Sequence, residues 1–253
     1  MAENIKVSLS FIKRICPEKK ISYENFELLN EEDPITTSMQ IKPCIGGENI
    51  GLLTDAGCPN IADPGAKLIL HAHENNINVI PLVGPSSILL AMMSSGLNGN
   101  NFSFNGYLPI DKNERSKKIK KLEVHSKNNN QSQIFIETPY RNQLLFDELI
   151  KVLNSNTFLC IAKNIGSKNQ KIKTMRIKDW KSNKGVIEKK PTIFIFQSGL
   201  ITFYYPFYSN NCETFLRFFC VLKAILQNYD SLDLLDQQQR SNNYAFHNLS
   251  PRQ

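Results

Sequence analysis

An α/β fold is the class this chain predicts, and three observations carry the prediction. Residues 50–53 are an apolar run of buried-strand length that ends in a loop holding Gly57, Pro59, Pro64 and Gly65. Asp63 and Pro64 then supply a side-chain acceptor and a pre-set φ, the pair that opens a helix. A second unit repeats the order: residues 79–83 read as a buried strand, and Ser86 or Ser87 caps a helix holding Leu89, Leu90, Met92 and Met93. Strand, loop and helix in that succession predict parallel strands joined by right-handed crossovers. Ligands in such folds bind where loops leave the carboxyl ends of the strands.

From the amino terminus, residues 4–15 place Ile5, Leu9, Ile12 and Ile15 on one helical face, with Phe11 beside it. Pro17 closes that helix. Residues 18–49 mix short polar runs and include Glu31, Glu32 and Asp33. The helix after Gly65 turns Leu68, Ile69 and Ala72 inward and stops at Asn75 and Asn76, and the next ends at Ser95 and Gly96. Residues 102–108 predict a short strand leading to a domain hinge. Residues 111–121 carry six basic side chains against two acidic ones, with Arg115, Lys118 and Leu122 at helical spacing. A polar loop over 128–133, a strand over 133–137, an amphipathic helix over 142–153 and a strand over 157–162 follow. Residues 163–190 hold ten basic against two acidic side chains, and strands over 171–177 and 192–196 close a second sheet. Beyond residue 197, an aromatic run at 203–208 and an apolar segment at 215–226 fit neither unit, and composition from 237 onward predicts disorder.

The 253 residues suit one large domain or two modest ones. Thirty Lys and Arg against 23 Asp and Glu give a net charge of +7, which fits either a plainly soluble basic surface or a polyanionic partner such as RNA. Six cysteines show neither C-x-x-C pairing nor histidines at ligand spacing, which argues against a zinc site and a disulfide framework. No signal peptide or membrane-spanning run is evident, so a reducing cytoplasm is expected.

Four motifs fall in one order: Asp-Ala-Gly-Cys-Pro at 55–59 with Asp-Pro-Gly at 63–65, Val-Gly-Pro-Ser-Ser at 83–87, Phe-Asn-Gly-Tyr-Leu-Pro at 104–109 with Arg115, and Ile-Glu-Thr-Pro-Tyr-Arg at 136–141. Together they resemble the tetrapyrrole methylase superfamily of S-adenosylmethionine (SAM)-dependent methyltransferases over residues 3–196, and its Bacteroidetes-type ribosomal RNA branch in detail. The resemblance implies two α/β domains, 1–108 and 109–197, each with a mostly parallel sheet and a cofactor cleft between them. Residues 198–253 are left as an unassigned, appended tail. Met1 falls beyond the family's second strand, so the chain is expected to lack the first strand, to be truncated and to dissolve poorly.

The resemblance implies a SAM cradle of Asp55, Ala56, Gly57, Cys58, Ile61, Ala62, Pro85, Ser86, Ser87 and Thr138, with Cys58 standing where relatives often carry Thr. Glu137 and Arg141 are implied as catalytic, with a structural ion pair the competing role, and Tyr140 replaces the family's His. Lys112, Arg115, Lys117, Lys118 and Lys121 are candidates for RNA phosphates, against the alternative of a solvated helix face. No metal is expected, because the cofactor brings its own reactivity. The implied activity is methylation of a cytidine 2′-hydroxyl in small-subunit ribosomal RNA by a homodimer. A methylase acting on a tetrapyrrole carbon and an inactive fragment are the alternatives.

Overall fold

The structure, a computed structural model, describes residues 1–30, 34–82, 84–183 and 185–199, so the readings for 203–253 lie outside the described residues. The strands are β1 (Phe102–Phe104), β2 (Ser132–Glu137), β3 (Phe158–Lys163), β4 (Lys171–Arg176) and β5 (Thr192–Gln197), ordered β1-β2-β5-β3-β4 in one sheet. The helices are α1 (Ile5–Ile15), α2 (Pro34–Gln40), α3 (Lys42–Ile45), α4 (Ala66–Glu74), α5 (Ser87–Ser95), α6 (Lys112–Asn129), α7 (Asn142–Val152) and α8 (Ile177–Ser182). The α/β class is therefore as the sequence predicts.

The pairing is not. Only β1 and β2 run parallel; β2 with β5, β5 with β3, and β3 with β4 are antiparallel. Connection length gives the reason for the β3–β4 pair. The 18-residue helix α6 spans β1 to β2, whereas β3 reaches β4 through residues 164–170 alone. A loop that short closes a hairpin, and a parallel pair needs a crossover of a dozen residues or more.

Residues 50–53 and 79–82 do not form strands of a sheet either. Residues 1–3, 27–29 and 51–53 form a narrow ribbon: Ala2 bridges both Leu28 and Leu53 in parallel. The Met1 ammonium donates to the Gly51 carbonyl at 2.7 Å, and Leu53 N–H donates to Met1 at 3.0 Å. Residues 79–82 have no ladder partner among the described residues, and Ile80 and Leu82 stand 70% and 76% exposed. An apolar run becomes a strand only where a neighbour takes its backbone groups.

Two apolar layers sandwich the sheet. On one face Phe135, Leu159, Ile161, Phe194 and Phe196 pack under α6, α7 and α8; on the other Ile134, Cys160, Ala162, Ile193 and Ile195 pack under α5. The period-2 alternation of strand side chains produces this division. Phe135 stacks on Phe196 at 5.3 Å, both fully buried, and burial of each such ring contributes roughly 1.5–3 kcal/mol. Trp180 meets Phe146 edge-on and donates its indole N–H to the Leu159 carbonyl at 2.9 Å, which ties α8 to the sheet.

Candidate functional site

The Gly- and Pro-rich loop is shaped by its own backbone. Asn60 N–H donates to Pro64 at 3.2 Å and Ile61 N–H to Cys58 at 3.1 Å, while Gly57, Asn60, Ala62 and Gly65 all take positive φ. The helix starts later than the Asp63-Pro64 pair predicts: the N-cap of α4 is Gly65, at φ 137°, without a side-chain cap. The Pro64 carbonyl is engaged inside the loop, and Asp63 faces other acids instead of capping. Burial, then Glu3 and Asp55, raise the Asp63 carboxyl above its ordinary 3.8. The Asp55 N–H donates to Glu3 Oε2 at 3.0 Å, fixing the mouth of the loop against the amino-terminal ribbon.

The second loop sits against the first. The Cys58 thiol approaches the Pro85 carbonyl at 3.9 Å, a long sulfur hydrogen bond that joins loop 55–65 to loop 84–87. Asp55, Ala56, Gly57, Ile61, Ala62, Pro85 and Ser87 are exposed, and Cys58 and Ser86 are half-buried. Ser86 is the N-cap residue of α5, but its hydroxyl makes no cap hydrogen bond. Gly96 ends that helix in the left-handed conformation at φ 69°, as the sequence predicts.

Glu137, Thr138 and Arg141 form a different cluster. Glu137 ends β2, with Oε1 accepting from Thr138 N–H at 2.8 Å and Oε2 lying 3.1 Å from Arg141 Nη2. The Arg141 N–H also donates to the Thr138 carbonyl at 2.9 Å, so the turn into α7 is closed from both sides. The Glu137 side chain is 1% exposed and projects, like Phe135, toward the α7 face of the sheet, whereas α5 packs on the other. Thr138, at the sheet's end, is exposed.

Helix α6 begins at Asp111, whose carboxylate accepts from Asn113 and Glu114 N–H, both at 2.9 Å. Lys112, Lys117, Lys118 and Lys121 are exposed along it. Arg115 is not available to a phosphate: it is 3% exposed, and its Nη1 donates to the Pro109 and Ile110 carbonyls at 3.2 and 2.8 Å. Lys118 and Lys121 line a groove of about 360 Å³ with His125, Ser103, Gln131 and Gln133. The sequence does not foresee Ser103 and Gln133 at this groove because β1–β2 pairing, not chain proximity, brings them to α6, whereas His125 lies on α6 itself and Gln131 just past its end. Among the described residues no group of three or more His, Cys, Asp or Glu could hold a metal ion.

Fold and loops define an α/β protein in which a Gly- and Pro-rich loop joins a second loop at the start of a helix, and the chain's sequence relatives are methyltransferases. In particular, it is similar to proteins named ribosomal RNA small subunit methyltransferase I. It is 29% identical to that of Vibrio cholerae serotype O1 over 145 residues, 57% of this chain and 49% of the relative. It is 34% identical to that of Buchnera aphidicola subsp. Schizaphis graminum over 122 residues, 48% and 41% of the two chains. The chain thus spans about half the length of the curated relatives it matches. No family model matches it. Among solved structures, the methyltransferase CobJ overlays with a TM-score of 0.48 at 13% identity, over 75% of this chain and 80% of that one. Uroporphyrin-III C-methyl transferase from Thermus thermophilus, complexed with S-adenyl homocysteine, overlays with a TM-score of 0.40 at 10% identity, over 68% and 76%.

Proposed function

We propose that this chain is a SAM-dependent methyltransferase acting on small-subunit ribosomal RNA, at the 2′-hydroxyl of a cytidine. The observation that carries the reading is the junction of loops 55–65 and 84–87 through Cys58 and Pro85, in a chain whose relatives carry the ribosomal RNA methyltransferase name. The residues present fit the cofactor. Glu3, Asp55 and Asp63 gather carboxylates at the loop, favourable to a sulfonium cation and able to accept from a ribose diol. Exposed backbone at Asp55, Ala56, Gly57, Ile61 and Ala62, with Cys58, Pro85, Ser86 and Ser87, offers amide and carbonyl groups around them. When bound, SAM supplies an electrophilic methyl group on sulfur.

The chain's own work is to hold the ribose hydroxyl in line and to keep the loop geometry fixed. Glu137 and Arg141 act here as positioning residues: their ion pair sets the turn that presents Thr138 to the cradle. Lys112, Lys117, Lys118 and Lys121 hold RNA phosphates. The halves 1–108 and 109–197 flank the cleft, the enzyme works as a homodimer, and its ribosomal substrate places it in the cytoplasm. No helix among the described residues is long and apolar enough to cross a membrane.

The test is calorimetric titration of the full chain with S-adenosylhomocysteine, followed by a methylation assay on small-subunit ribosomal RNA at rising salt. Saturable binding with RNA methylation that falls steeply with salt is expected. Methylation of a tetrapyrrole but not of RNA would replace the substrate reading, and absence of any binding would remove the cofactor reading.

A further inference from the structure

A second basic cleft lies at the end of the sheet where β2 delivers Glu137. Strand register aligns a row of four residues there: Glu137 opposite Thr192, Thr192 opposite Lys163, and Lys163 opposite Lys171. Directly opposed residues in antiparallel strands share a face, so the whole row projects on the α7 side. Neighbouring strands lie about 4.8 Å apart, which puts Lys171 roughly 14 Å from Glu137. Beyond Lys163 opens a cleft of about 400 Å³ lined by Asn164, Ser167, Asn169, Lys171, Glu188 and Lys190.

Its walls are fixed by hydrogen bonds. Asn164 N–H donates to Pro191 at 3.0 Å and Ser167 N–H to Asn164 at 3.0 Å, with Asn164 and Gly166 at positive φ. Asn142, fully buried, donates its amide to the Lys190 carbonyl at 2.7 Å and so holds the opposite wall under α7. The cleft's one carboxylate, Glu188, is taken by Lys163 at 3.6 Å. Lys171 and Lys190 are exposed and make no ion pair among the described residues. Two free ammonium groups beside two amides and a hydroxyl are the donor set of a phosphodiester site.

We propose that this cleft binds the RNA backbone, with Lys171 and Lys190 each meeting a phosphate. The proposal rests on the RNA methyltransferase reading above and adds a contact region separate from the α6 lysines. Each phosphate neutralised on a single strand contributes about 0.7 to the log–log salt slope, so the pair accounts for about 1.4.

The experiment is fluorescence anisotropy of the full chain with a labelled single-stranded oligoribonucleotide of small-subunit ribosomal RNA sequence, between about 50 and 200 mM salt. K171E/K190E is expected to weaken binding on the order of tenfold and to flatten the slope by about 1.4. S-adenosylhomocysteine titration should be unchanged. K171Q/K190Q should move affinity the same way by less, and serves where charge reversal disturbs folding. K173E, two residues along β4 and outside the cleft, should change affinity by no more than about twofold. K173E acting as strongly as the double variant would overturn the proposal. So would a double variant that binds like the native chain while K118E/K121E does not, although that result would leave the RNA reading standing. A native chain that titrates S-adenosylhomocysteine but binds no RNA would remove the RNA reading itself, and the proposal with it.

Discussion

Gly65 and Asp63 show how the candidate ligand loop is held one residue at a time. A Cβ added at Gly65 would lie 3.0 Å from Leu52 Cδ2 and 3.3 Å from the Asn60 nitrogen, in a backbone at φ 137°. Gly65→Ala is therefore expected to destabilise the chain by about 1–3 kcal/mol and to lower Tm in a thermal melt followed by circular dichroism. Asp63 works in the opposite sense. Its carboxyl is raised above 3.8 by burial and by Glu3 and Asp55, so the fold favours its protonated form. The stability it contributes is present below that ordinary value and is lost as pH rises through the raised one, leaving repulsion at neutral pH. Asp63→Asn should thus raise Tm at pH 7, with the gain shrinking as pH falls toward the ordinary carboxyl range. An unchanged difference between the two melts across that range would sink the idea.

At the scale of the element, α6 carries two kinds of cation that sequence spacing alone cannot separate. Arg115 and Lys118 are three residues apart and share a face by helical period, yet one is buried and the other exposed. The Arg115 guanidinium closes the turn before the helix by donating to two carbonyls. Removing it takes away two hydrogen bonds worth about 0.5–1.5 kcal/mol net each. Arg115→Ala is expected to lower Tm with RNA affinity altered only through folding, while Lys118→Ala weakens RNA binding at unchanged Tm. Paired melting and anisotropy measurements on the two variants check this, and a reversed pattern would refute the division of roles.

Across the whole molecule, the described surface keeps large apolar side chains in water. Ile80, Leu82 and Met93 are each at least 70% exposed, and Phe11 and Ile15 stand out from α1 at 45% and 52%. Surface of this kind favours self-association. The full chain should sediment as concentration-dependent oligomers, and Ile80→Lys with Leu82→Lys should shift it toward monomer without lowering Tm. A monomer at all concentrations would argue against that surface as the driving face.

Much of this protein was legible in its residues. Apolar periodicity located α1, α5, α7 and all five sheet strands within a few residues, because period depends only on which side chains face a neighbour. Loop composition located the candidate ligand loop, since Gly57 and Gly65 hold backbone angles that few other residues tolerate. Strand partners lay beyond the sequence's reach. An apolar run states that it wants burial, not which edge will accept it, so β5 between β2 and β3, and the unpaired run at 79–82, were settled only by the assembled fold. For the same reason tertiary structure alone turned the Glu137 carboxylate under α7, buried Arg115, and brought Lys171 and Lys190 to one cleft. The strand partners depend on pairing between segments far apart in the chain, whereas the Arg115 and Glu137 contacts reach no more than six residues and exist only once their turns have folded.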